Sequence, residues 1–381
     1  MSIFKDYIYL DNASTTKIDD NVLSTIIPFM SELYANYSSS HLMGKKVRNE
    51  IVNARKQVAN LLNADANEIV FTSGATESIN AILKGIWANS DKSRKQQIIT
   101  VATEHSAVLN TCKYLEEIGF EVIYLPVLKS GVIDIGTLKN VISDKTLLVS
   151  VMLANNETGV IQNIKEITKI AHQYGALMMT DATQAVGKIP VDVKDLGIDF
   201  LVFSGHKFHA PKGVGGFYYK QENKFIPLIH GGGQESNKRS GTLNTPGIIG
   251  IGKCAEISLD NMDQDVEKIK KLRDRLEQEL LSIEGTFVNG YSAERLHNIT
   301  NICFPNIEAD FLIGILKNVC VSNGSACHSE LIEPSYVLTE MGLSTQDAFS
   351  SIRFSLSKYN TEEEIDYTVL KIKEVITNFQ K

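Results

Sequence analysis

Apolar residues in the first two-thirds of this chain come in short continuous runs separated by longer stretches with helical spacing. Glu68 to Thr72, Gln97 to Val101, Val122 to Leu125, Leu147 to Met152, Leu177 to Thr180 and Phe200 to Phe203 read as strands. Thr76 to Trp87, Ser106 to Ile118 and Ile164 to Tyr174 read as the helices between them. Strand and helix in alternation predict an open, largely parallel sheet covered by helices, and unbroken apolar strands fit burial on both faces. The pattern changes after about residue 255. Asp265 to Ile283 is a charged helix with apolar residues at helical spacing, short strands follow, and Thr361 to Phe379 closes the chain as a helix. This region reads as a smaller α+β domain, with a hinge expected in the Gly-rich stretch Gly231 to Gly252.

Length and charge narrow the picture. The 381 residues suit two domains, or one large α/β domain with an appendage. A net charge of -7 gives no electrostatic case for wrapping nucleic acid. No run approaches the roughly 18 apolar residues of a membrane helix, and the Met1 to Asp6 start lacks a signal or transit pattern. A cytoplasmic protein without membrane contact is expected. Five scattered cysteines without CxxC or zinc-type spacing argue against a disulfide framework and against a metal site.

Candidate chemistry gathers where strands end. Lys207, in Ser204-Gly205-His206-Lys207, sits just past a buried strand, a poor place for a surface charge and a good one for an amine nucleophile. In Thr72-Ser73-Gly74-Ala75-Thr76 small residues open a helix N-terminus to an anion; alternatively Thr76 or Ser73 merely caps the helix. Asp181 can hold a protonated ring nitrogen or cap a helix. His105 can stack on a ring, move protons, or be structural. Asn155-Asn156 offers amide hydrogen bonds or forms a turn. Arg353, flanked by apolar residues, grips a substrate carboxylate or makes an internal ion pair. Cys327, in the small-residue run Gly324-Ser325-Ala326-Cys327-His328, is either an exposed reactive thiol or a small buried hydrophobe.

These motifs together resemble the pyridoxal-phosphate enzymes of the class V aminotransferase group, and specifically the NifS/IscS-type cysteine desulfurases. The resemblance runs almost end to end, from Tyr9-Leu10-Asp11-Asn12-Ala13-Ser14-Thr15-Thr16 through Asp181-Ala182-Thr183-Gln184 and Arg239-Ser240-Gly241-Thr242 to Glu333-Pro334-Ser335-Tyr336 and Ser351-Ile352-Arg353-Phe354-Ser355. The Arg-x-Gly-His-His-Cys motif of the SufS-like branch is absent.

The resemblance implies a PLP-dependent transferase fold of type I. It has a large domain, 15–254, with a mainly parallel seven-stranded sheet between helices, and a small α+β domain, 1–14 and 255–381, carrying the cysteine loop. It implies pyridoxal 5'-phosphate carried covalently by Lys207. Ala75, Thr76, Ser204 and His206 would hold its phosphate, with Thr242 reaching over from the second subunit of a homodimer. Asp181 would pair with the ring nitrogen, Gln184 contact the ring oxygen and His105 stack on the ring. Asn156 and Arg353 would bind the carboxylate of the L-cysteine substrate. Cys327 would attack its sulfur, leaving alanine and a persulfide for an acceptor protein, an iron–sulfur scaffold or a tRNA thiolation enzyme. Selenocysteine is a candidate second substrate that the sequence leaves open. An aminotransferase acting on small amino acids would share Lys207 and Asp181 but need no Cys327. A cofactor-binding platform without catalysis is the third alternative.

Overall fold

The computed structural model describes residues 7–91, 93, 95–324 and 333–379. Its centre is a seven-stranded sheet in the order Ile69–Thr72, Gly215–Tyr219, Phe200–Ser204, Leu177–Asp181, Thr146–Ser150, Gln97–Val101, Glu121–Leu125. All neighbours are parallel except Gly215–Tyr219, which is antiparallel to both strands beside it. The expected sheet of type I transferases is therefore present.

Side-chain alternation explains the unbroken apolar runs. Ile99, Val149, Met178, Leu201 and Phe203 enter the core on one face, and Ile98, Leu148, Met179, Phe200, Val202 and Phe217 the core on the other. A strand with both faces buried has no polar position to spend, so period-two patterning vanishes. Helices Ala75–Asn89 and Ser106–Glu117 cover the second face. The first is covered by Leu42–Leu62, Ile164–Gln173 and the beginning of Thr245–Leu281.

That last helix corrects two expectations. The charged helix expected from Asp265 begins twenty residues earlier and runs for 37 residues, Thr245–Leu281. The glycines at its start are packing surfaces rather than hinge points. A Cβ on Gly252 would lie 2.5 Å from the Ala54 Cα, and one on Gly250 would lie 2.9 Å from the Pro211 ring. Glycine there allows two helix backbones to approach more closely than any side chain permits, which outweighs its poor helix propensity. The same helix buries Ile248, Ile251 and Met262 in the core of the sheet. Further along it buries Ile269, Leu272, Leu276 and Leu280 in a separate C-terminal cluster. There Phe287–Val288, Ile299–Cys303 and Ser351–Ser355 form an antiparallel sheet. Helices Ala309–Leu316 and Glu362–Phe379 pack against it.

Candidate active site

The parallel strands, together with Ile69–Thr72, deliver their carboxyl ends to one edge of the sheet, and the sequence-predicted residues follow those ends. Ser204 ends its strand, and His206 and Lys207 lie in the single 3-10 turn Gly205–Lys207 after it. Asp181 ends the neighbouring strand, paired in register with Val202. His105 precedes the helix Ser106–Glu117, and Asn156 lies in the turn beyond Thr146–Ser150. In open α/β sheets this edge is where ligands bind.

A short segment that the residue-by-residue reading gave no chemical part joins these groups. Lys207 Nζ donates to the carbonyls of Ala13 at 2.8 Å and Ser14 at 2.7 Å. Gln184 Nε2 donates to the same Ala13 carbonyl at 2.9 Å. The Thr15 hydroxyl lies 3.1 Å from His206 Nδ1. Arg353 Nη2 donates to Asp11 Oδ1 and to the Ser14 hydroxyl, both at 2.7 Å. Residues 11–15 are thus the hub of the site. The one signal in the sequence was the dense polar run Asp11-Asn12-Ala13-Ser14-Thr15-Thr16, too ordinary in composition to mark a hub.

Where the sequence left alternatives, the geometry separates some of them. Arg353 makes the internal ion pair, with Nη1 also donating to the Asn156 carbonyl at 2.9 Å. Its Nε is buried without a hydrogen-bond partner among the described residues. His105 does cap its helix, Nδ1 accepting from the Ala107 N–H at 3.1 Å. That bond leaves Nε2 to carry the ring proton when the imidazole is neutral. Asn155 is the turn former, its Oδ1 accepting from the Glu157 and Thr158 N–H groups. This frees Asn156, whose Oδ1 is buried with no partner among the described residues. Asp181 caps no helix; its Oδ1 accepts from the Thr183 N–H at 2.9 Å.

Neither Ser73 nor Thr76 caps the helix Ala75–Asn89, which starts at Gly74 with no side-chain cap. Uncapped N–H groups at the positive end of a helix dipole form an anion site in waiting. The approach is tight: a Cβ on Gly215 would meet the Gly74 Cα at 2.7 Å. Arg239 Nε donates to Glu77 Oε1 at 2.8 Å and so anchors the Ser240–Thr242 segment to this helix, with Thr242 exposed. Burial, then repulsion from Lys207, Lys212 and Lys188, pushes His206 down to about 4. It is neutral at physiological pH, so one ring nitrogen donates and the other accepts.

Cys327 lies outside the described residues. The thiols of Cys112 and Cys303 are buried and pushed up to about 12, chiefly by desolvation, and Cys254 is raised further. Such groups pack and do not react.

Comparison with known proteins places this arrangement. The Aminotransferase class-V family model matches residues 8–368. The chain belongs to the class-V aminotransferase family. Within that family it is 45% identical to a "Cysteine desulfurase IscS" of Methanosarcina thermophila, over 97% of this chain and 92% of the relative. The solved "NIFS-LIKE PROTEIN" superposes with a TM-score of 0.92 at 41% identity, covering 97% of this chain and 99% of the other. "SspA in complex with cysteine" follows with a TM-score of 0.81 and 35% identity, covering 93% and 100%.

Class-V enzymes of this type depend on pyridoxal phosphate, and the residues present fit it. The uncapped helix suits a phosphate, and Ser204 Oγ lies 3.5 Å from where a Cβ on Gly74 would stand. Asn156 Oδ1, Thr183 Oγ1 and Arg353 Nε, buried without partners among the described residues, are polar atoms that a polar ligand would satisfy. Asp181, 6% exposed, suits a pyridinium nitrogen. No helix among the described residues is long and apolar enough to cross a membrane.

Proposed function

We propose that this enzyme is a cysteine desulfurase that takes sulfur from L-cysteine, releases alanine and passes the sulfur on from Cys327. The observation that carries the reading is the convergence of Lys207, Gln184 and Arg353 on residues 11–14 at the sheet edge. It stands beside 45% identity to a desulfurase over nearly the whole chain. The solved relative holding cysteine supports the same substrate class.

When bound, pyridoxal phosphate supplies an electron sink that acidifies the substrate's α-carbon and loosens the bond between its β-carbon and sulfur. Ala75, Thr76, Ser204 and His206 hold the phosphate, Thr242 joins them from a second subunit, and Asp181, Gln184 and His105 hold the ring. Exposure of Thr242 supports the shared site of a homodimer. Lys207 carries the cofactor and moves the α-proton; its two carbonyl acceptors keep the amine at the sheet edge. Asn156 and Arg353 receive the substrate carboxylate, Arg353 through the Nε left without a partner among the described residues and Asn156 through its amide NH2, the donor end of that side chain. The Cys327 thiolate takes the sulfur as a persulfide.

We also propose a large domain of 15–254 and a small one of 1–14 with 255–381, supported by the separate C-terminal core. A cytoplasmic setting follows as part of the proposal, with sulfur passing to an iron–sulfur scaffold or a tRNA thiolation enzyme.

The test is purified enzyme loaded with pyridoxal phosphate, given L-cysteine and a thiol reductant without keto acid. Equal sulfide and alanine over many turnovers are expected. Sulfide absent, with turnover appearing only on addition of a keto acid, would make the protein an aminotransferase and leave Cys327 without a catalytic part.

A further inference from the structure

Beside Lys207 lies a cavity of about 40 Å³ whose wall includes no residue of the helix that would hold the phosphate. That is room for roughly two or three waters. Its wall includes Lys188, Lys207, His297 and Asn298. His297 Nδ1 and Asn298 Oδ1, on two residues of that wall, are buried without partners among the described residues. Nothing in the proposed chemistry uses Lys188. Yet Lys188 is only partly exposed, and an ammonium is not left in such a place without a partner.

Its partner is the amide that is expected to touch the cofactor ring. Lys188 Nζ donates to Gln184 Oε1 at 2.7 Å. With Oε1 taken, the amide is held with Nε2 toward the Ala13 carbonyl, 2.9 Å away. Lys207 Nζ donates to the same carbonyl at 2.8 Å. A chain of three hydrogen bonds therefore connects the two lysines.

We propose that Lys188 is a positioning residue for the cofactor-bearing lysine: it fixes the edge that Gln184 presents to the site and sets a second cation near Lys207 that disfavours the protonated form of that nitrogen. The inference rests on Lys207 carrying the cofactor. A neighbouring cation is one of the standard means of lowering the proton affinity of a reactive lysine. The influence is mutual, since burial first, and then repulsion from Lys207 and Arg353, bring Lys188 down to about 7. Burial first, and then nearby cations that include Lys188, lower the basicity of His206, His209 and His297. Two other charged groups line the cavity. Lys358 is paired with Asp19 at 2.6 Å, and Asp265 has its carboxyl raised by burial. Neither supplies Lys188 with a full counter-charge.

The experiment follows the absorption of the holoenzyme's lysine-bound cofactor against pH, without substrate, in wild type, Lys188→Met, Lys188→Gln and Lys188→Arg. Both neutral variants should bind the proton about tenfold more tightly, an upward shift of about one pH unit in the midpoint. Lys188→Arg keeps the cation and should stay within about threefold of wild type. Gln fills the space with a single amide, so a folding defect in the Met variant leaves the Gln variant to decide. A residue acting only through packing would change thermal stability and leave the midpoint in place. A shift below about threefold in both folded neutral variants overturns the inference while the cofactor assignment stands. Absence of the lysine-bound band in wild type overturns both.

Discussion

Removing Asp11 exposes the energetics of the hub most directly. Arg353 is 3% exposed, and its acceptors are Asp11 Oδ1, the Ser14 hydroxyl and the Asn156 carbonyl. Asp11 is the only anion among them, so Asp11→Ala leaves a buried guanidinium with neutral acceptors and no counter-charge. Breaking a buried pair by deleting one partner costs about 3–5 kcal/mol. The Asp11 side chain is 19% exposed, which places the loss near the lower end, about 3 kcal/mol. Unfolding entropy of about 2.1 cal/mol/K per residue, over this length, converts that loss to a fall of about 4 °C in Tm. The assay is thermal unfolding of the apoenzyme at neutral pH. Arg353→Met in the Asp11→Ala background removes the stranded charge, so the double variant should lose at least about 1.5 kcal/mol less than the sum of the singles. A fall of less than about 1 °C in Asp11→Ala, or strict additivity in the cycle, would refute the view that this ion pair organises the hub.

Cys327→Ala should keep the absorbance of the bound cofactor and lose sulfide release; sulfide at the wild-type rate would remove the persulfide assignment. His297 is 7% exposed and held down to about 4, chiefly by burial, against 6.5 for the ordinary side chain. The unfolded chain therefore binds the extra proton first, and the stability from a neutral His297 is complete above about pH 6.5 and fades as pH falls toward 4. At about pH 5 the loss is about 2 kcal/mol, and His297→Gln should flatten the pH dependence of the urea midpoint by that amount; an unchanged slope would contradict it. Gly187 has φ +75°, and a Cβ there would meet the Phe208 ring at 2.7 Å, one residue from Lys207. Gly187→Ala should cost about 2–3 kcal/mol and weaken cofactor binding, measured by unfolding and by titration with pyridoxal phosphate; wild-type values for both would show that the turn yields freely.

Strand positions, and the residues at their ends, were legible because burial on two faces leaves continuous apolar runs. Gln97–Val101 and Phe200–Ser204 appear within a residue of where those runs placed them. Lys207, Asp181, His105 and Asn156 were legible for the same reason, each standing just past such a run. The long helix Leu42–Leu62 escaped, since its polar face and modest apolar stripe give no run to follow. The glycines of Thr245–Leu281 read as flexibility because a sequence does not show what a bare backbone is pressed against.

The sequence by itself determined the sheet, the family and the chemical types at its edge, since each follows from local pattern or from motifs kept in order. Only the tertiary structure decided that residues 11–15 join Lys207, Gln184, His206 and Arg353. It alone showed that Arg353 is already paired and that Lys188 and Lys207 line one cavity. Those contacts join positions up to 342 residues apart. They rest on single hydrogen bonds and charges whose value depends on burial, a property of the packed molecule that no stretch of chain carries alone.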